Sequence, residues 1–187
     1  MNNIFGTIMS LGVVGLGLVA CSMAACIIAC AGVILLAGAA QEANQEELIA
    51  LNDGFGASSN PIPTGRAVEF NDVRVQIVNI VRPANNLVLG APASGSDYVL
   101  VEFALTCKAQ ACDGSNLGAR LIDNQGEEWR QAIAIMTDGR TAIHDADAVS
   151  GSTARGFMPF EFPQGRSIER LRVSYNLSPD VFVLYNP

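Results

Sequence analysis

Basic side chains are scarce in this chain. It has one lysine, Lys108, and one histidine, His144. Lys and Arg total 11 against 18 Asp and Glu, a formal charge of −7. A chain this acidic has no general electrostatic pull on nucleic acid or on anionic lipid. One histidine leaves few candidates for acid–base or metal chemistry, and no cofactor is expected. Charged residues make up only 16% of the chain, against a usual quarter. Half of the residues are hydrophobic, which excludes a disordered acidic tail and fits a soluble domain joined to a membrane segment. At 187 residues the chain has the length of one ordinary domain with an appendage.

The appendage is at the front. Ile4 to Ala40 carries no charge, and the first positive side chain is Arg66. A run of this length reads as one transmembrane helix, residues 1–40. As a single helix it would be about 55 Å long against roughly 30 Å of hydrocarbon. Nothing within it looks like a polar turn, so two spans are not expected. Gly12, Gly15, Gly17, Ala20, Ala24 and Gly32 are small residues at helical spacing. In lipid such residues let helix backbones approach closely. The bilayer and other transmembrane helices are therefore the expected partners, with self-assembly the alternative.

Three short patterns in this run need weighing. Gly15-Leu16-Gly17-Leu18-Val19-Ala20 matches a dinucleotide fingerprint, but no βαβ context follows it. Leu18-Val19-Ala20-Cys21 resembles a lipoprotein cleavage box. Cys21 is thus a lipidation candidate, opposed by the missing basic n-region and the long apolar stretch after it. Cys21, Cys26 and Cys30 could form an acylation or metal cluster; the simpler reading is three small hydrophobes.

Residues 41–64 read as a helix extension and a linker. Gln41 to Leu51 continues the helix, Asn52-Asp53-Gly54 stops it, and Phe55 to Thr64 is a polar, Pro-containing tether. With no Lys or Arg on either flank, the positive-inside rule has little to grip. The single lysine, the β character and a cysteine pair place the C-terminal domain outside the cytoplasm, in a single-pass chain.

From Gly65 onward the period changes to two. Val73, Val75 and Ile77 alternate with polar residues, as do Leu171, Val173 and Tyr175, while Met158, Phe160 and Phe162 alternate with Pro159 and Glu161. Ala119–Asp123 and Glu127–Arg130 flank Asn124-Gln125-Gly126, a hairpin signal. Seven or eight half-buried antiparallel strands over residues 65–187 predict an all-β sandwich. Cys107 and Cys112 close a four-residue gap at a strand end, which suits a disulfide. A zinc site would need two further ligands.

Three motifs carry a resemblance: Tyr98–Thr106 (YVLVEFALT), Leu121–Gly126 (LIDNQG) and Ser150–Pro163 (SGSTARGFMPFEFP). Together they resemble a family of bacterial secreted or lipid-anchored immunoglobulin-like domains of unknown function, itself similar to the mycobacterial secreted immunogen sandwich. The resemblance spans about residues 65–187. It implies an immunoglobulin-like sandwich outside the membrane and brings no catalytic residues. The long apolar run and the cysteine pair depart from the family pattern.

No catalytic or metal-binding set emerges. His144 has no Gly-x-Ser-x-Gly nucleophile to serve, and reads as a loop histidine. Asp145 and Asp147 lack the EF-hand pattern for Ca²⁺. Glu127 and Glu128 are adjacent on a strand and point to opposite faces. Trp129 reads as a core or edge aromatic. Arg166, Arg170 and Arg172 are the only local arginine group, a solvated face or a partner-binding patch. The leading expectation is a non-catalytic accessory subunit of a membrane complex. The alternatives are a pilin-like filament subunit, whose basic leader is missing here, and a membrane-anchored ligand-binding module.

Overall fold

The computed structural model describes residues 47–185, Ile49 apart. The apolar run, its six small residues and Cys21 lie outside the described residues, as does most of the helix extension. Among the described residues no helix is long and apolar enough to cross a membrane.

Ten strands are present among the described residues: β1 (Val68–Glu69), β2 (Val73–Val81), β3 (Ser96–Cys107), β4 (Ala111–Asp113), β5 (Leu117–Asp123), β6 (Glu128–Arg130), β7 (Asp147–Val149), β8 (Thr153–Pro163), β9 (Ile168–Tyr175) and β10 (Val181–Leu184). This exceeds the seven or eight expected, because β1, β4 and β7 are too short to show a period. The named strands pair antiparallel throughout, in two four-stranded sheets ordered β1-β2-β3-β8 and β10-β9-β5-β6, with a small third sheet of β4 and β7.

The two large sheets face each other through their alternating apolar positions, as a β-sandwich requires. Phe103, Leu105, Met158, Phe160 and Phe162 from one sheet and Leu121, Leu171 and Val173 from the other have no solvent exposure. β3 is covered on its second face as well. Tyr98 and Leu100 point away from the main core and pack in a second apolar cluster with Ala84 and Val88, flanked by Ala132, Ala134, Met136 and Phe157. That double burial is why YVLVEFALT reads as a nearly continuous apolar run.

The segment expected as a tether, residues 55–64, is instead a strap along β10. Ile62 bridges Val183 in parallel, donates to the Phe182 carbonyl at 2.7 Å and accepts from the Leu184 amide at 2.9 Å. Its side chain is buried in the core. The physical reason is the free edge of β10, whose backbone groups would otherwise stay unpaired. Pro61 and Pro63 flank the contact and are compatible with an edge position.

The expected stop at residues 52–54 is present. Asp53 and Gly54 both have positive φ, 56° and 77°. Asn52 is buried; its side chain donates to the Leu48 and Glu69 carbonyls and accepts from the Glu69 amide. The last helical turn is thereby tied to β1.

Candidate functional site

The β5–β6 hairpin is organised by one carboxylate. Gly126, at φ 81°, closes the turn by donating to the Asp123 carbonyl. The Asp123 side chain has no solvent exposure. Its Oδ1 accepts from the amides of Gln125 (2.8 Å) and Glu127 (2.9 Å). Its Oδ2 accepts from Trp129 Nε1 (3.1 Å) and Arg166 Nη1 (2.6 Å). Burial alone would raise this carboxyl's pKa. The hydrogen bonds from Arg166, the two amides and the indole outweigh burial and hold it at about 2. Arg166 also pairs with Glu127, and both acids raise its own pKa. With all its acceptor positions engaged inside the chain, Asp123 is a structural keystone.

Trp129 packs edge-on against Phe162, with ring centroids 5.9 Å apart, and is partly buried against the core. Glu127 and Glu128 diverge: Glu127 meets Arg166, while Glu128 meets Arg120 and Arg172. His144 sits in a short 3-10 turn and bonds the Gln131 side chain at 2.8 Å. Asp145 and Asp147 are exposed, and among the described residues no group of three or more potential ligands could hold a metal ion.

Cys107 and Cys112 are joined in a disulfide, with Cα atoms 5.5 Å apart. Both are buried in the main core, where they link the end of β3 to β4. Closing this short loop contributes about 2 kcal/mol by the chain-entropy model.

The arginine group read from the sequence is rearranged by the fold. Arg166 belongs to the Asp123 keystone. Arg170 donates to the Ser58 carbonyl and so holds the strap. Arg172 stands on the outer face of its sheet, paired across strands with Arg120, whose other neighbour is Arg130. Their positions are widely separated in sequence, so composition gave no sign of the row.

Among the described residues, two surfaces outside these networks are mainly apolar. In the first, the loops following β2 and β6 are bridged at Val88 and Met136, and Leu89 donates to the Ile135 carbonyl at 2.7 Å. Ala132, Ala134 and Met136 face inward, while Ile133, Ile135 and Leu89 project, at 107%, 69% and 63% exposure. This aliphatic tip was missed in the sequence. The available signal was the alternation in Ala132-Ile133-Ala134-Ile135, but its larger residues face solvent rather than core. The second is a mainly apolar cleft of about 390 Å³, lined by Ile77, Ile80, Leu171, Val183 and Tyr185 among others, with Arg66 and Asn79 as polar members. It lies where β1 no longer covers the edge of β2.

No protein-family model matches this chain, and no curated protein does. Solved structures are similar to it in fold. The secreted protein MPT63 from Mycobacterium tuberculosis is 13% identical, with a TM-score of 0.52 over 70% of this chain and 100% of that one. An uncharacterized β-sandwich protein from Clostridium difficile 630 is 12% identical, with a TM-score of 0.43 over 66% of this chain and 91% of that one. A conserved hypothetical protein from Bacillus anthracis is 11% identical, with a TM-score of 0.42 over 64% and 93%. The resemblance to the mycobacterial sandwich read from the strand motifs thus holds at the level of fold.

Proposed function

We propose that this chain is a non-catalytic accessory subunit of a larger membrane complex. Its apolar N-terminal run anchors it, with Gly12, Gly15, Gly17, Ala20, Ala24 and Gly32 facing neighbouring helices. Its immunoglobulin-like sandwich stands outside the cytoplasm, a location favoured by the buried Cys107–Cys112 disulfide. The observation that carries the reading is the aliphatic tip. Ile133, Ile135 and Leu89 are held outward on two cross-bridged loops over their own small core. Contiguous exposed aliphatic side chains on a braced support mark a contact surface rather than a packing defect.

The test is gentle detergent extraction from native membranes, native-gel separation and mass spectrometry, on the parent chain and on an Ile133→Ser/Ile135→Ser variant. The parent is expected to migrate with a fixed set of other membrane proteins. The double variant is expected to fold and to separate from that set. A parent that runs alone, or a double variant that keeps the full set, overturns the reading.

A second reading, a membrane-anchored ligand-binding module, is favoured by the apolar cleft under the β2 edge. Its volume lies within the range of small-molecule sites. Retention of a lipid or other apolar molecule through purification would support it.

A further inference from the structure

Every Lys and Arg of the protein lies among the described residues, and all but Arg82 and Arg130 make ion pairs there. Arg82 donates to the Pro163 and Arg166 carbonyls and covers the Phe162 ring. The Arg130 side chain makes no ion pair, hydrogen bond or ring contact among the described residues. In a chain with a surplus of carboxylates, that is an unusual vacancy of charge.

On the outer face of the β10-β9-β5-β6 sheet, Arg130 is directly opposite Arg120, and Arg120 is directly opposite Arg172. Three guanidinium-bearing strands therefore sit side by side over about 10 Å. Like charges directly opposite one another destabilise a sheet. Two carboxylates offset part of this: Glu128 Oε2 meets Arg172 at 2.8 Å and Arg120 at 3.4 Å, and Asp180 meets Arg172 at 3.4 Å. Arg120 and Arg172 are thus matched by two anions, and Arg130 is left with none. Beside them the surface is hollowed. A Cβ at Gly118 would meet Ser174 Oγ at 2.7 Å, so only glycine fits without displacing that hydroxyl. The hollow has a volume of about 380 Å³, and its lining includes Arg120, Arg130, Arg172, Gln131, Ser174 and Asp180.

We propose that this hollow is a binding site for an oxyanion, a carboxylate or phosphate group held between Arg130 and Arg120 with Arg172 behind them. Guanidinium forks match both groups in a bidentate manner. Glu128 already shows how one carboxylate bridges two arginines of the row. The incoming group supplies the third negative charge, and Arg130 is its principal partner. The site is on a different sheet from the one beneath the aliphatic tip and does not depend on the accessory-subunit reading.

The test uses the full chain in a nonionic detergent at low ionic strength. Fluorescence anisotropy follows a labelled hexaglutamate peptide, and unlabelled inorganic pyrophosphate is added as competitor and titrated separately by calorimetry. Saturable binding of at least one probe is expected, weakened at least tenfold in Arg130→Gln and little changed in Arg74→Gln on the other sheet. Arg130→Gln removes no ion pair, hydrogen bond or ring contact, so its folding is expected to match the parent. Binding of the peptide alone identifies an acidic protein segment as the source, and binding of pyrophosphate alone identifies a phosphate group. Absence of saturable binding by either probe overturns the proposal, as does equal weakening by Arg130→Gln and Arg74→Gln.

Discussion

Trp129 Nε1 donates to Asp123 Oδ2 at 3.1 Å, so the two strands of the β5–β6 hairpin are locked by a side-chain bond as well as by their backbone ladder. The same oxygen takes Arg166 Nη1 from the loop before β9. One buried carboxylate therefore joins three chain segments. Asp123→Asn keeps the volume but replaces an acceptor with an amide whose NH₂ meets other donors. It also leaves Arg166 with Glu127 as its only acidic partner. Removing one member of a buried charged network costs about 3 kcal/mol. Trp129 is the only tryptophan in the chain, so urea unfolding followed by its fluorescence reads this site directly. The expected result is a lower midpoint with an unchanged slope. A midpoint equal to that of the parent would show that the network contributes nothing net.

The same carboxylate sets an acid limit. Its pKa is depressed to about 2 in the folded state, below the ordinary value near 3.9. A depressed acid contributes stability that is fully present above the unfolded value and lost as pH falls through the folded value. The contribution from Asp123, about 2 kcal/mol, is therefore expected to disappear between about pH 4 and pH 2. Unfolding measured across that window should fall more steeply with acid for the parent than for Asp123→Asn. Parallel curves would assign the acid sensitivity to other groups.

Some of this was legible in the sequence and some was not. The β3 pattern, the Asn124-Gln125-Gly126 turn and the Cys107–Cys112 pair are local, and local chemistry decides them. The arginine row assembles three strands whose sequence neighbours gave Arg166, Arg170 and Arg172 as the apparent group. Pairing across a sheet, not proximity along the chain, determines which charges meet. The segment Ala132–Ile135 shows a strand period, but its small residues pack inward and its large ones outward, the reverse of the usual rule. Asp123 was visible as part of a hairpin motif, while the four-donor environment of its carboxylate depends on Arg166, distant in sequence. The strap at residues 55–64 was hidden by its prolines, which read as linker in the absence of a strand edge to cover.

That strap yields a distinct expectation. Ile62 is 1% exposed, and its backbone makes two hydrogen bonds to β10. The Arg170–Ser58 bond and the bond from Phe182 to the Gly56 carbonyl hold the strap at further points. If the strap were a tether, truncating Ile62 would leave stability unchanged. As a core residue, Ile62→Ala should cost about 2–5 kcal/mol, from lost apolar burial and the cavity left behind. The loss should also be local in part. The amides of Phe182 and Leu184 both donate to the strap, so their hydrogen exchange should speed up more than that of Val173 in the centre of β9. Equal acceleration at all three amides would mean that the strap unfolds only with the whole domain. No change in stability or exchange would return residues 55–64 to the status of a linker.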